Sequence, residues 1–229
     1  MIKVTKFGGS SLADAAQFQK VAEIIKADAA RKYVVPSAPG KRFKNDDKVT
    51  DLLYKSYALS SSGQDTAEVF GEITQRYTDI KNELGLTTDI ESIIAQVKKK
   101  VDGGASIDYT ASRGEYLNGI LLAEYLGFAF IDAAEVILFD SRGVLDADKT
   151  NTIMSKRLAR EGRAVIPGFY GSGPDGGIVT FSRGGSDITG SLVARAAKAD
   201  LYENWTDVSG FMVTDPRIVP ETRVIRYIT

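Results

Sequence analysis

The stretch IKVTKFGGSS, residues 2–11, determines how this sequence begins to fold. Its first six residues are rich in β-branched and aromatic side chains and predict a strand, which Gly8 and Gly9 end. Residues 14–29 then place apolar side chains at spacings of three and four, which predicts an amphipathic helix. A strand, a glycine turn and a helix in this order begin a βαβ unit and indicate a parallel sheet.

The same alternation continues along all 229 residues. Further strands are predicted at 33–35, 128–132, 136–140, 164–167, 178–181 and 201–205, and helices from about 50, at 65–100 with a break at 85–89, and at 112–126, 150–160 and 187–198. We expect an α/β fold with a mostly parallel sheet in one domain, 1–229. Because the last residues alternate without a helix cap or a polar tail, we interpret the sequence as the N-terminal piece of a longer polypeptide.

Composition restricts the chemistry. The sequence has no Cys and no His, which excludes disulfides, thiolate zinc sites, Ser-His-Asp triads and imidazole bases. With 29 Lys+Arg and 30 Asp+Glu, the net charge of -1 argues against a nucleic-acid-binding protein. Neither a signal peptide nor an apolar run long enough for a membrane span is present, so we predict a cytoplasmic protein that does not bind membranes.

Two glycine pairs lie between a predicted strand and a predicted helix, where the backbone can approach an anion and free N–H groups face it. In the first pair, Gly8-Gly9, Lys6 adds a positive charge. In the second, RGGSD at 183–187, Arg183 offers a planar fork for a carboxylate or phosphate. We expect both loops at corresponding strand ends of the sheet, where α/β folds bind ligands.

Each glycine pair also has a purely structural interpretation. The first pair makes a turn, and in the second Ser186 or Asp187 caps the helix. A third glycine segment, GSGPDG at 171–176, matches the dinucleotide fingerprint G-x-G-x-x-G. Because it contains Pro174 and leads into a strand rather than a helix, we interpret it as a loop between two strands.

Seven segments occur in the order found in aspartate kinases: VTKFGGSS at 4–11, VVPSAPG at 34–40, KVTDLL at 48–53, SRGE at 112–115, PGF at 167–169, RGGSD at 183–187, and TDVSG at 206–210 followed by DPR at 215–217. The sequence therefore resembles the catalytic domain of aspartate kinases, in the amino acid kinase family. The resemblance implies a three-layer αβα sandwich. It also implies transfer of the γ-phosphoryl group of ATP to the side-chain carboxylate of L-aspartate, the first step toward lysine, threonine and methionine.

The resemblance further implies the site residues. The nucleotide would contact Lys6, Gly8, Gly9, Ser10, Thr206, Asp207, Met212, Asp215 and Arg217. Aspartate would contact Ser37, Thr50, Glu115, Phe169, Arg183 and Ser186. Lys6 and Asp187 would be catalytic, with Asp187 organising the lysines, while Glu115 pairs with the α-ammonium of aspartate and Arg183 with its α-carboxylate. Mg²⁺ would bind through the phosphates of ATP and not through protein ligands.

Several features depart from the family pattern. Ser182 and Met212 stand where glycine and tyrosine are usual, and a second lysine that contacts phosphate in the family, like the regulatory ACT domains, would lie beyond residue 229. The basic insertion KRFKNDD at 41–47 is interpreted as a solvated, mobile loop or as a lid over anionic ligands. The resemblance leaves a homodimer open.

Two other functions remain as alternatives. The chain could be an incomplete fragment that binds nucleotide or amino acid without turnover. It could also be a sibling kinase for glutamate, N-acetylglutamate or a nucleoside monophosphate. Glu115 disfavours N-acetylglutamate, because an acylated nitrogen carries no charge to pair with it.

Overall fold

A computed structural model describes residues 1–206, 210, 213–214, 218–219 and 221–223. In this part of the chain, a central sheet is formed by β1 (Lys3–Phe7), β2 (Arg31–Pro36), β3 (Ala129–Phe130), β4 (Ala164–Val165) and β7 (Leu201–Trp205). Their order is β3-β4-β2-β1-β7, and every neighbouring pair is parallel. β5 (Tyr170–Ser172) and β6 (Ile178–Thr180) form a separate antiparallel pair.

Helices connect these strands: α1 (Ala15–Lys26), α2 (Val49–Ser61), α3 (Ala67–Leu84), α4 (Ile90–Asp102), α5 (Ile107–Leu126), α6 (Ala133–Val136), α7 (Ala147–Glu161) and α8 (Gly185–Ala196). Several begin at a side chain that accepts a free backbone N–H, as Asp14 does for α1 and Ser106 for α5. Within the described residues, no helix combines the length and the hydrophobicity needed to cross a membrane.

Alternating side chains on the strands divide the apolar core in two. Phe7 and Val34 face a core that contains the buried residues of α1 to α5. Val4 and Val35 point the other way, into a core with the buried residues of α6 to α8. Because successive residues of a strand face opposite sides of the sheet, the sheet is the middle of three layers. The expected α/β sandwich with a parallel sheet is confirmed.

Two predicted strands are placed differently by the structure. At 136–140 the prediction of a strand is wrong: Val136 is the last residue of the short helix α6, which starts where the Asp132 side chain accepts the Ala134 N–H (3.0 Å). Beyond it, Leu138 and Phe139 make only isolated bridges. The strand predicted at 178–181 exists, but it pairs with β5 across the glycine segment. That segment is therefore a hairpin loop, as interpreted from the sequence.

The central sheet and α5 are in close contact at Gly119. A Cβ at this position would lie 2.8 Å from Cγ of Pro167 and 3.1 Å from a ring carbon of Phe130. Gly71, in α3, is exposed, and a Cβ there would meet nothing within 4 Å.

Gly119→Ala is expected to lower the free energy of unfolding by about 1–3 kcal/mol, because the new methyl must displace a rigid proline ring. Gly71→Ala should raise it by about 1 kcal/mol, since alanine is the better helix former and has room. Urea unfolding of both variants measures the difference. Equal stability of the two variants would contradict the close packing of α5 on the sheet.

Candidate active site

The site begins where β1 ends. After Phe7, the chain enters a short 3-10 turn, Gly9–Leu12. The Gly8 N–H donates to the carbonyl of Trp205 (3.1 Å), which holds this loop to strand β7. In the described part of the chain, the N–H groups of Gly9 and Ser10 donate to no acceptor, because the first N–H groups of a helix have no partner within it. They can therefore donate to an anion.

The glycines are required by a close approach of two backbone segments. A Cβ on Gly9 would lie 2.8 Å from the carbonyl oxygen of Ala38, and one on Gly40 would lie 2.6 Å from the carbonyl carbon of Gly9. The Gly40 N–H donates to the Gly9 carbonyl (2.8 Å). The loop after β1 and the loop after β2 are thus fixed to each other by backbone contacts that allow no side chain.

Lys6 forms an ion pair next to the glycine loop. Its Nζ lies 2.9 Å from Oδ1 of Asp187, and Asn204 Nδ2 donates to the same oxygen (3.0 Å). The same Nζ is 3.9 Å from the position that a Cβ on Gly8 would take. Lys6 is mostly buried, whereas 49% of the Asp187 side chain is exposed. A phosphate bound at the glycine loop would therefore lie near a lysine whose ammonium group is held in place by a carboxylate.

The structural interpretation of the second glycine pair is wrong. The N-cap of α8 is Gly184, at φ +57°, and no side chain caps this helix. Ser186 and Asp187 lie within the first turn, and the Asp187 carboxylate is directed to Lys6 instead. Because β6 belongs to the hairpin, the expectation that both glycine loops follow strands of the central sheet is also wrong.

A cavity of about 590 Å³ lies beside the first loop. It brings together predicted residues of both classes: Gly8, Gly9, Ser10, Ser37, Thr50, Glu115 and Thr206. The rest of its wall is Ala38, Pro39, Gly40, Lys41, Arg42, Phe43, Lys44 and Lys48. The predicted nucleotide loop and half of the predicted substrate residues therefore share one space.

The other predicted residues that the structure describes do not line this cavity. Arg183 is exposed and has no carboxylate within 4.0 Å in the described part of the chain. The loop that contains Phe169 packs tightly against the first turn of α8, which contains Ser186, since a Cβ on Gly185 would be 2.8 Å from Cα of Phe169. Phe169 takes a φ of +83° there. The predicted nucleotide residues Asp207, Met212, Asp215 and Arg217 lie outside the described residues.

Glu115 is the most unusual group in the cavity wall. It lies on α5, is 6% exposed, and its Oε2 has no hydrogen-bond partner among the described residues. Burial raises its pKa to about 7, although a backbone N–H of Ala38 acts in the opposite direction. A buried carboxylate with an unpartnered oxygen and no ion pair among the described residues fits a positively charged ligand group.

Two polar residues of the site were not predicted. Asn118 lies one turn after Glu115, and its Nδ2 donates to the carbonyl of Ser37 (2.7 Å), so it fixes a residue of the cavity wall. Its position as a polar residue among the apolar residues 117–123 was the available signal. Asn204, which contacts Asp187, carries no signal in the sequence, because only the pairing of β1 with β7 brings it to Lys6.

A comparison with protein families matches residues 1–229 to the family described as the amino acid kinase family. The chain belongs to the amino acid kinase family. Among the curated amino acid kinases, aspartokinase 3 of Bacillus subtilis (strain 168) is 38% identical over 245 residues, which cover 100% of this chain and 53% of that protein.

Two solved structures are also similar. Clostridium acetobutylicum aspartate kinase is 56% identical with a TM-score of 0.92, over 97% of this chain and 51% of that one. Escherichia coli aspartokinase III in complex with aspartate and ADP is 28% identical with a TM-score of 0.84, over 98% and 53%. The chain thus spans about half the length of these relatives.

The stability of this amino acid kinase domain should depend on the ionisation of Glu115. Between pH 4.5 and about 7 the folded state retains a proton that the unfolded state releases, so stability falls as pH rises. Above pH 7 the ionisation of Glu115 lowers the free energy of unfolding by about 3 kcal/mol in total. Glu115→Gln should therefore match the wild type at pH 4 and exceed its free energy of unfolding by up to about 3 kcal/mol at pH 8.

Urea unfolding at several pH values measures this difference. Glu124, on the same helix, provides a control of opposite sign: burial opposes ionisation, but hydrogen bonds from Thr88 and Thr87 lower its pKa to about 2. Glu124→Gln should lose stability at pH 8. A Glu115→Gln variant that is also less stable at pH 8 would show that the carboxylate has a partner in the folded protein.

Proposed function

We propose that this domain is the catalytic domain of an aspartate kinase, which transfers the γ-phosphoryl group of ATP to the side-chain carboxylate of L-aspartate. The proposal is supported by the family, by the aspartokinases that match the whole chain, and by a cavity that joins a glycine loop to Glu115. We also propose that it acts in the cytoplasm in the synthesis of lysine, threonine and methionine, and that the complete protein is a homodimer with a regulatory region.

Glu115 is the observation that carries the substrate assignment. A free α-amino acid brings an ammonium group, which would pair with the unpartnered carboxylate and restore its ionised state. Nucleoside monophosphates and acylated amino acids lack this cation, so Glu115 would remain buried without compensation. The cavity therefore favours an amino acid with a free α-ammonium group.

The phosphoryl acceptor needs no base. A side-chain carboxylate has a pKa near 4 and is ionised at pH 7. One of its oxygens attacks the γ-phosphorus, the bond from that phosphorus to the β,γ-bridging oxygen breaks, and ADP leaves with the electron pair. No proton has to move, which agrees with a chain without histidine.

The protein would position the two substrates and stabilise the negative charge on the phosphates. Lys6 and the N–H groups of Gly9 and Ser10 would hold phosphate oxygens, and Asp187 keeps Lys6 oriented. The ammonium group of Lys6 and these two amide donors fit a polyphosphate. Mg²⁺, when bound with the phosphates of ATP, would supply positive charge that offsets the negative charge developing during transfer. Arg183 stays the proposed partner of the α-carboxylate of aspartate, although it does not line the cavity.

The activity is tested by incubating the domain with Mg·ATP, aspartate and hydroxylamine, which traps the acyl phosphate as a hydroxamate. Glu115→Gln should raise KM for aspartate by about 10- to 100-fold and leave KM for ATP within about twofold, because a charge-assisted contact to the amino acid is lost. Glu124→Gln is the control on the same helix. Equal effects of the two variants on KM for aspartate would refute the role of Glu115.

Aspartate binding should also release a proton. At pH 6 a group with a pKa of about 7 is about 90% protonated. When the ammonium pairs with Glu115, that proton leaves, so calorimetric titrations in buffers of different ionisation enthalpy should give about 0.9 protons per aspartate at pH 6 and almost none at pH 9. Glu115→Gln should release none at either pH.

The same measurements separate the alternatives. A domain that binds ATP and aspartate but yields no hydroxamate is a binding fragment. Hydroxamate formed with glutamate in place of aspartate would identify a sibling kinase, and turnover of N-acetylglutamate would exclude the pairing of Glu115 with an ammonium.

A further inference from the structure

The basic loop, defined as residues 41–48, is anchored by a buried arginine. Arg76, on α3, is 4% exposed. Its Nη2 donates to the carbonyl of Gly40 (2.7 Å), and its Nη1 donates to Oδ2 of Asp46 (2.9 Å) and to the carbonyl of Asp47 (3.0 Å). One side chain therefore holds both ends of the turn, and the base of the loop is not a freely solvated segment.

The turn above this anchor also closes on itself. Arg42 donates to Asp46 from its backbone N–H and from its guanidinium, at distances of 2.8 to 2.9 Å. The hydrogen bonds from Arg42 hold the pKa of Asp46 well below its usual range. This carboxylate is thus ionised at neutral pH and pairs with both Arg42 and Arg76, so it does not offset the charge of the lysines of the loop.

Lys41, Lys44 and Lys48 line the cavity, and none of them has a carboxylate within 4.0 Å among the described residues. Lys41 directly follows Gly40, whose N–H is bonded to the Gly9 carbonyl. Because consecutive Cα atoms are about 3.8 Å apart, Lys41 begins a few ångströms from the N–H groups of Gly9 and Ser10. Three lysines without an ion pair among the described residues therefore line the same cavity as Gly9 and Ser10.

We propose that Lys41 and Lys44 of the basic loop bind the phosphates of the nucleotide, and that Arg76 is a positioning residue that holds this loop against the glycine loop. The proposal rests on the proposed function, since it assigns the phosphates of the kinase's nucleotide to one wall of the same cavity. Excess positive charge next to free amide donors fits a polyphosphate better than the uncharged purine base or the amino acid, whose ammonium offsets one of its two carboxylates. Lys48 is left out because it is the N-cap residue of α2.

The double variant Lys41→Gln/Lys44→Gln tests the lysines, with calorimetric titration of Mg·ATP and of adenosine as separate probes. The dissociation constant of Mg·ATP should rise about tenfold or more, and its salt dependence should decrease, while that of adenosine changes less than about twofold. Lys20→Gln/Lys156→Gln is the matched control, because it removes the same charge from exposed positions outside the cavity wall. An equal effect of both double variants on Mg·ATP overturns the proposal.

Arg76→Lys tests the positioning role. It keeps the charge but loses the fork that bonds both ends of the turn, so Mg·ATP should again bind more weakly. A double-mutant cycle with Lys41→Gln/Lys44→Gln separates positioning from general destabilisation: if Arg76 acts through the loop, removal of the lysines should cost much less in the Arg76→Lys background. Additive effects would overturn the role of Arg76.

These results can be distinguished from failure of the proposed function. If Mg·ATP binding depends on the loop but no aspartyl hydroxamate forms, the kinase assignment fails and the phosphate site stands. If hydroxamate forms and the loop variant binds Mg·ATP as well as the control does, only the loop proposal fails. A wild-type domain that binds neither Mg·ATP nor inorganic triphosphate overturns the loop proposal as well.

Discussion

Strand β1 is paired on both edges and buried on both faces, and the site depends on that position. Because β1 is parallel to β2 and β7, the loops that follow these three strands lie at the same edge of the sheet. Because successive side chains of β1 point to opposite faces of the sheet, the position of each residue determines which helices it contacts. Lys6 lies on the same face as Val4, toward α8, and a charge there would be costly without a partner. Asp187 in the first turn of α8 provides that partner.

Most of the fold could be predicted from local patterns. Strands β1, β2 and β7 and the long helices follow from apolar spacing, because each has one or two faces that must be buried. The segment 136–140 could not be predicted in this way. Its apolar residues are typical of a strand, but Val136 ends the helical turn that starts at Asp132, and Leu138 and Phe139 make only isolated bridges. Periodicity contains neither piece of information.

The candidate site was predictable to different degrees on its two sides. Residues of the glycine loop and Glu115 were identified because a motif fixes their position relative to a strand or a helix, and they do share a cavity. Arg183 was placed by the same reasoning, but the strand before it belongs to a hairpin outside the central sheet, and Arg183 does not line that cavity. Asn204 depends on long-range strand pairing alone, which no local pattern reveals.

The contact between Gly9 and Gly40 has a consequence for how this domain can diversify. Because two backbones meet there, neither position tolerates a side chain, whereas the tip at 43–45 is exposed and is closed off below by Arg42 and Asp46. Such a tip accepts insertions and substitutions at little cost to the fold. The turn is therefore a replaceable tip on a base of fixed backbone geometry, so its length and charge can change while the sheet stays the same.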